Sequence, residues 1–250
     1  MALLVQDTTE LDLTRPSQQV RGAGPMDCES RLGAFHHPLM AFNIDGVALG
    51  TVWQKTWTRD KIETDLTKAE KSKKRKDTPI EDKESFRWIE GQRAARAVAA
   101  VCPNTQCVCV SDSESDIYEL FSEPRTTTAD DSESLHRPLE LVVPACQDRA
   151  TKTGKWLAEV QSSTELFSDS VQVSARVAKI KATTSPRGKS RDARTADVTI
   201  RATTVTLRPP YRPDRKLPEV EVNLVLVEES KPPAGCDSLA AGHDAAGRDD

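Results

Sequence analysis

The chain has 250 residues, of which 37% are hydrophobic, 30% are charged and eleven are aromatic, with a formal net charge of −4. That length allows one large domain or two modest ones with a real core, but so polar a composition excludes a uniformly dense globule and points to packed segments broken by solvated insertions. No apolar run approaches the ~20 residues of a membrane-spanning helix and no basic-then-apolar leader opens the sequence, so a cytoplasmic protein without membrane association is expected.

In chain order, "ALLVQDTTEL" reads as a first strand, followed by a Gly-, Pro- and Ser-rich loop over residues 15–33. "HHPLMAFNI" and "VALGTVWQKTW" flank Asp45-Gly46, the signature of a two-residue hairpin, because both turn positions tolerate positive φ. "RDKIETDLTKAEKSKKRKD" has no apolar period and reads as a linker or exposed insertion. Beyond it, Thr78 as N-cap, Pro79 in the first helical position and Glu81 three residues after the cap predict a helix over 79–101, with Phe86, Ile89, Ala97 and Val101 as its apolar face. "QCVCV" is a fourth strand, residues 115–121 a short helix and "LELVVPA" a fifth strand. A helix over 156–167 and two alternating strands, "DVTIRATTVTL" and "EVEVNLVLVEE", complete the ordered elements, with the proline-rich "RPPYRPDRKLP" between those strands.

The order β-β-β-α-β-α-β predicts an α/β fold of the ribonuclease-H-like kind, a mixed sheet with helices on its faces. Residues 1–149 form this core, residues 150–233 a β-rich basic subdomain inserted in it or appended to it, and residues 234–250 a tail without period, unstructured or out of frame. In such a layout the first and fourth strands lie side by side, and Asp7 and Asp112 stand at their ends. Two carboxylates sharing a site call for a cation, and a pair of divalent metals is the common arrangement for in-line phosphoryl chemistry. Acids after strands are also ordinary turn residues, and pattern alone favours that reading. A calcium loop starting at Asp112 is disfavoured by Ile117 at the position that needs glycine.

Charge is unevenly spread: residues 111–140 carry nine acids and two bases, whereas residues 176–216 carry twelve bases and three acids. The second region suits a polyanion, with Arg149, Lys179, Lys181, Arg187, Lys189 and Arg191 as candidate DNA contacts. Lys71 to Lys76 is a further basic run that could meet phosphates. The His36-His37 pair has no third ligand spaced to join it, and Trp53, Trp57, Trp88 and Trp156 read as core. The six cysteines contain no CxxC pair, which leaves reduced, mostly buried thiols rather than a zinc site.

Taken together, "LLVQDTTELDLT", "HPLMAFNIDGVALGTVWQKTW", "PIEDKESFRWIEG", "VCVSDSESDIYELF", "LELVVPACQDRA" and "LPEVEVNLVLVEE" resemble the bacterial insertion-sequence transposases related to the transposon-five enzyme. The resemblance implies a ribonuclease-H-like core, an Asp-Asp-Glu triad holding Mg2+ or Mn2+, and cutting and rejoining of DNA at transposon ends. It implies that Asp7 and Asp112 are the first two catalytic, metal-binding carboxylates, with Glu114 and Asp116 in the same signature. It also implies DNA as partner, and a homodimer or a dimer with an intact relative. The family's third carboxylate lies in the pattern Tyr-x2-Arg-x3-Glu-x6-Lys; counted from Tyr211, those positions hold Asp214, Pro218 and Val225. Only six residues precede Asp7, where the family has a DNA-binding region, and Pro144 stands where relatives tend to carry a basic residue. The expected product is therefore an inactive or nearly inactive transposase fragment, truncated at both ends. A non-catalytic DNA-binding or inhibitory fragment and a decayed reading frame without function are the alternatives.

Overall fold

Apolar side chains run through residues 2–5 and unbroken through "CVCV", and these two segments become neighbouring inner strands of one sheet. The structure, a computed structural model, describes residues 1–15, 20–28, 30–60, 66–125, 138–176 and 190–233. The tail at 234–250 and the candidate contacts Lys179, Lys181, Arg187 and Lys189 lie outside the described residues. The chain divides into two compact units, Met1–Pro144 with Pro210–Pro218, and Ala145–Pro209 with Glu219–Asp250. Pro210–Pro218, expected to belong with residues 150–233, thus packs in the first unit.

The first unit contains β1 (Ala2–Gln6), β2 (Thr9–Asp12), β3 (Gly24–Pro25), β4 (Leu32–Phe42), β5 (Ala48–Trp57), α1 (Lys68–Asp77), α2 (Phe86–Val101), β6 (Cys107–Val110), α3 (Tyr118–Ser122) and β7 (Glu140–Val142). Its sheet is mixed: β4 is antiparallel to β5 on one side and to β1 on the other, β6 is parallel to β1, and β7 is parallel to β6. The α/β class expected from the sequence is the class observed. Helix α2 packs on the sheet over Leu4, Leu39, Cys107, Cys109 and Leu139, which bury together with Ala95 and Ala99. A second cluster joins Ile80, Trp88, Ile89 and Leu120. On the other face Leu3, Val5 and Val110 are only half-buried.

Several local expectations are corrected. The first strand is two: β1 and β2 pair with β4 in one register, from Leu3 opposite Phe42 to Asp12 opposite Gly33, and the gap at Asp7-Thr8 falls opposite Pro38 and His37. Pro38 has no N–H to give the ladder, so pairing lapses there and resumes at Thr9 opposite His36. The hairpin forms around Gly46 at φ +79°. Its loop is longer than two residues, because Asn43 Oδ1 accepts from the N–H groups of Asp45 (3.0 Å) and Val47 (2.8 Å).

The presumed linker contains α1, started by a capping box in which Thr67 Oγ1 accepts from the Glu70 N–H and Glu70 Oε2 accepts from the Thr67 N–H at 2.8 Å. Thr78 is consequently the C-cap of α1 and not the N-cap of the next helix. The predicted 79–101 helix resolves into a 3-10 turn at Ile80–Asp82 and α2, whose buried face is Trp88, Ile89, Gly91, Gln92, Ala95 and Ala99, while Val101 is exposed. The short helix after β6 is a 3-10 turn at Ser113–Ser115 followed by α3. Cys107 and Cys109 are buried as expected, but Cys28 and Cys146 are exposed.

The second unit contains α4 (Trp156–Ser162), β8 (Glu165–Val173), β9 (Arg194–Leu207) and β10 (Val220–Glu229), with the three strands antiparallel in the order β10-β9-β8. The helix expected to reach residue 167 stops at Ser162, and Leu166 and Phe167 belong to β8. Trp156, Val160, Val173, Ala196, Val198, Val205, Leu207 and Leu226 are its buried apolar side chains. Arg194 pairs bidentately with Glu229, whose side chain is only 2% exposed. No helix among the described residues is long and apolar enough to cross a membrane.

Candidate functional site

The parallel pair β1 and β6 matches Val5 with Val110; Asp7 directly follows the end of β1 at Gln6, and Asp112 stands two residues after the end of β6 at Val110. Both are exposed. Asp7 Oδ1 accepts from the Thr8 N–H at 2.7 Å, and Asp112 Oδ1 caps the following 3-10 turn by accepting from the Glu114 N–H at 2.9 Å. The turn is further pinned by the Ser115 hydroxyl, which donates to the Asp112 carbonyl at 2.7 Å.

On the α2 side of the same strand ends lies a chain of hydrogen bonds that sequence reading did not anticipate. Arg87 Nε donates to Thr8 Oγ1 at 2.8 Å, and Thr8 Oγ1 lies 2.8 Å from His37 Nδ1. His37 Nε2 is 3.2 Å from Gln6 Oε1, while Gln6 Nε2 donates to the Trp88 carbonyl at 3.4 Å. Direction follows from chemistry. A carbonyl only accepts, so Nε2 carries the hydrogen given to Gln6 Oε1; with the ring neutral, Nδ1 accepts the Thr8 hydroxyl proton while Thr8 Oγ1 accepts from Arg87. Burial, reinforced by the charges of Arg87, His36 and Lys55, lowers the His37 pKa to about 3, and its ring stands edge-on to Trp88 at 4.4 Å between centroids.

Gly91 explains how the buried Gln6 amide fits under α2: a Cβ there would stand 2.1 Å from Gln6 Oε1. This is a close-approach glycine in a helix interior, where alanine would otherwise be preferred.

Arg87 links the two strand ends. Its Nη2 donates to Glu114 Oε2 at 2.7 Å while its Nε holds Thr8. Burial works against the Arg87 charge, and Glu114, Glu84 and Asp112 offset it. Trp57 and Trp88 flank the guanidinium with ring centroids at 5.4 and 5.3 Å. Glu114 thus acts as the acceptor that ties the turn after β6 to α2, and Asp116 is buried.

Chemically, the site offers two exposed carboxylates beside a buried hydrogen-bonded scaffold in which His37 is neutral and Arg87 is charged and paired with Glu114. His37 is fully buried and unable to exchange protons with a ligand near neutral pH. Burial pushes the Cys109 thiol up to about 12, so it is no nucleophile. Among the described residues no three His, Cys, Asp or Glu side chains gather to hold a metal ion. Two carboxylates alone fall short of a two-metal centre. Of the candidate DNA contacts, Arg149 and Arg191 belong to the second unit; Arg191 pairs backbone to backbone with Arg176 and donates from Nε to the Ser174 carbonyl at 3.1 Å.

The positions counted from Tyr211 for a third carboxylate lie in no helix before Val220; Tyr211 itself is 87% exposed, and Arg212 pairs with Glu119. No protein-family model matches the chain, and a search of curated proteins finds no match.

Proposed function

We propose that this chain is a DNA-binding member of the Asp-Asp-Glu transposase lineage, with a ribonuclease-H-like first unit that does not cut DNA as it stands. The observation that carries the reading is the parallel pairing of β1 with β6, strands whose last residues, Gln6 and Val110, are closely followed by Asp7 and Asp112. The strand order β5-β4-β1-β6-β7, three antiparallel strands followed by two parallel ones, supports the same reading. Asp7 and Asp112 would hold one Mg2+ or Mn2+, and such an ion, when bound, supplies positive charge to a phosphate oxygen.

The chain's own residues account for positioning. Thr8 donates its N–H to the Asp7 carboxylate and its hydroxyl to His37, so the Asp7 side chain and the buried scaffold share one anchor. Arg87 holds that anchor and Glu114 at once, fixing the two strand ends against each other. The absent step is strand cleavage, because the third acid has no counterpart at Pro218. Loss of one such ligand lowers rate by orders of magnitude.

The test is a strand-cleavage assay on transposon-end DNA with Mg2+ or Mn2+, run beside a binding titration. Salt-dependent binding with no cutting above background is expected. Robust cutting by the purified chain alone overturns the non-catalytic reading, and absence of DNA binding at low salt overturns the whole proposal.

A further inference from the structure

Helix α1 buries none of its ten residues, so it is not there to close a core. It carries Lys68, Lys71, Lys73, Lys74, Arg75 and Lys76 against Glu70 and Asp77, and Glu70 is turned back into the capping box. Lys71, Lys74 and Arg75 share one side of the helix by their three- and four-residue spacing. With Thr78, Asp82 and Lys83 they line an open cleft of about 370 Å3. Four of the six lining side chains are cationic and one is acidic.

Lys83 comes from outside the helix, just after the 3-10 turn at Ile80–Asp82, so the cations converge from two elements. Burial first, then the charges of Arg212 and Arg75, push the Lys83 ammonium below its ordinary pKa despite Glu119 and Asp214. An anion seated in the cleft would reverse that penalty. No aromatic or amide side chain lines the cleft to stack on or read a base, so contact would be with phosphates and independent of sequence. A lipid surface fits poorly, since α1 offers no apolar side chain larger than Ala69 for insertion.

We propose that the cleft between α1 and the Ile80–Asp82 turn binds the phosphate backbone of a nucleic acid. The inference rests on the DNA reading above for the identity of the polyanion, and joins part of the basic run Lys71 to Lys76 with Lys83, from outside that run, in one cleft.

The experiment compares Lys71→Gln/Lys74→Gln with Lys73→Gln/Lys76→Gln, which remove equal charge from opposite sides of the same exposed helix, by anisotropy titration of a labelled ~20-base-pair duplex across salt. Because α1 buries no residue, both variants keep the unfolding midpoint of the parent. The cleft pair is expected to weaken binding about tenfold at low salt and to reduce the slope of log Kd against log salt by about 2, while the outer pair changes little. Lys83→Gln, off the helix, shifts binding in the same direction as the cleft pair.

Equal effects from both helix pairs overturn the cleft while leaving DNA binding intact. A parent chain that binds no duplex overturns the DNA reading and the cleft's occupant together. If the cleft pair alters binding to phosphatidylserine vesicles and not to duplex, the occupant is a membrane surface and this proposal fails.

Discussion

The two helices that follow β5 are held by opposite means. Helix α1 has a complete capping box and no buried residue, whereas α2 has no side-chain cap and buries Trp88, Ile89, Gly91, Gln92, Ala95 and Ala99. Packing fixes α2 well enough to seat Gly91 against the Gln6 amide and to aim Arg87 at both strand ends. Local hydrogen bonds hold α1, and all it presents is charge. Groups that must be placed to a fraction of an ångström therefore sit on the packed helix, and groups that act through long-range attraction sit on the capped one.

The sharpest way to break this contrast is Trp88→Ala, which removes a fully buried ring from the α2 cluster and one wall of the His37 pocket. A loss of about 3–5 kcal/mol is expected in urea unfolding. A loss below about 1 kcal/mol would mean that α2 is not packed as described.

Next comes the pH dependence of the sealed scaffold. A histidine whose folded pKa is about 3 rather than 6.5 stabilises the fold fully above pH 6.5, and this stability is lost as pH falls toward 3, because the unfolded chain takes up the proton first. In His37→Gln the slope of stability against pH near pH 5 is expected to be shallower by about 1.3 kcal/mol per pH unit, roughly one proton. Identical slopes in parent and variant would show His37 to be charged or exposed.

The smallest effect belongs to α1. Thr67→Ala removes its cap and is expected to cost about 1 kcal/mol of local helix stability, read as faster amide exchange over Lys68–Asp77. The global unfolding midpoint stays where it was, since no core depends on this helix. A shift of that midpoint would place α1 with α2 after all.

What the sequence made legible and what it hid follow the same division. Asp7 and Asp112 stood out because each ends an apolar run, and such runs are what form neighbouring strands. The scaffold beside them was invisible: Arg87 is 79 residues from Thr8, and Gln6 is 82 from Trp88, distances that no local pattern spans. Its only traces were a glycine in a helix interior at Gly91 and a glutamine ending a buried strand at Gln6. Helix α1 has no apolar period to announce it; its signal is a cap, Thr67 with Glu70 three residues on. Leu166 and Phe167 extend the apolar pattern of α4 and so read as helix to residue 167, whereas they open β8, whose partner β9 begins only at Arg194.

The return of Pro210–Pro218 to the first unit has a consequence for how the chain is made. Glu119, only 6% exposed, is paired by Arg212, and the Tyr118 hydroxyl donates to the Pro218 carbonyl at 2.8 Å. Arg212 lies 93 residues after Glu119, so at ~5–20 residues per second a ribosome leaves that carboxylate waiting on the order of 5–20 s for its counter-charge. Through that interval the nascent α3 carries a carboxylate that can stay solvated or protonated but cannot yet be buried in its final form. The first half of the protein is therefore the first to emerge and among the last to finish.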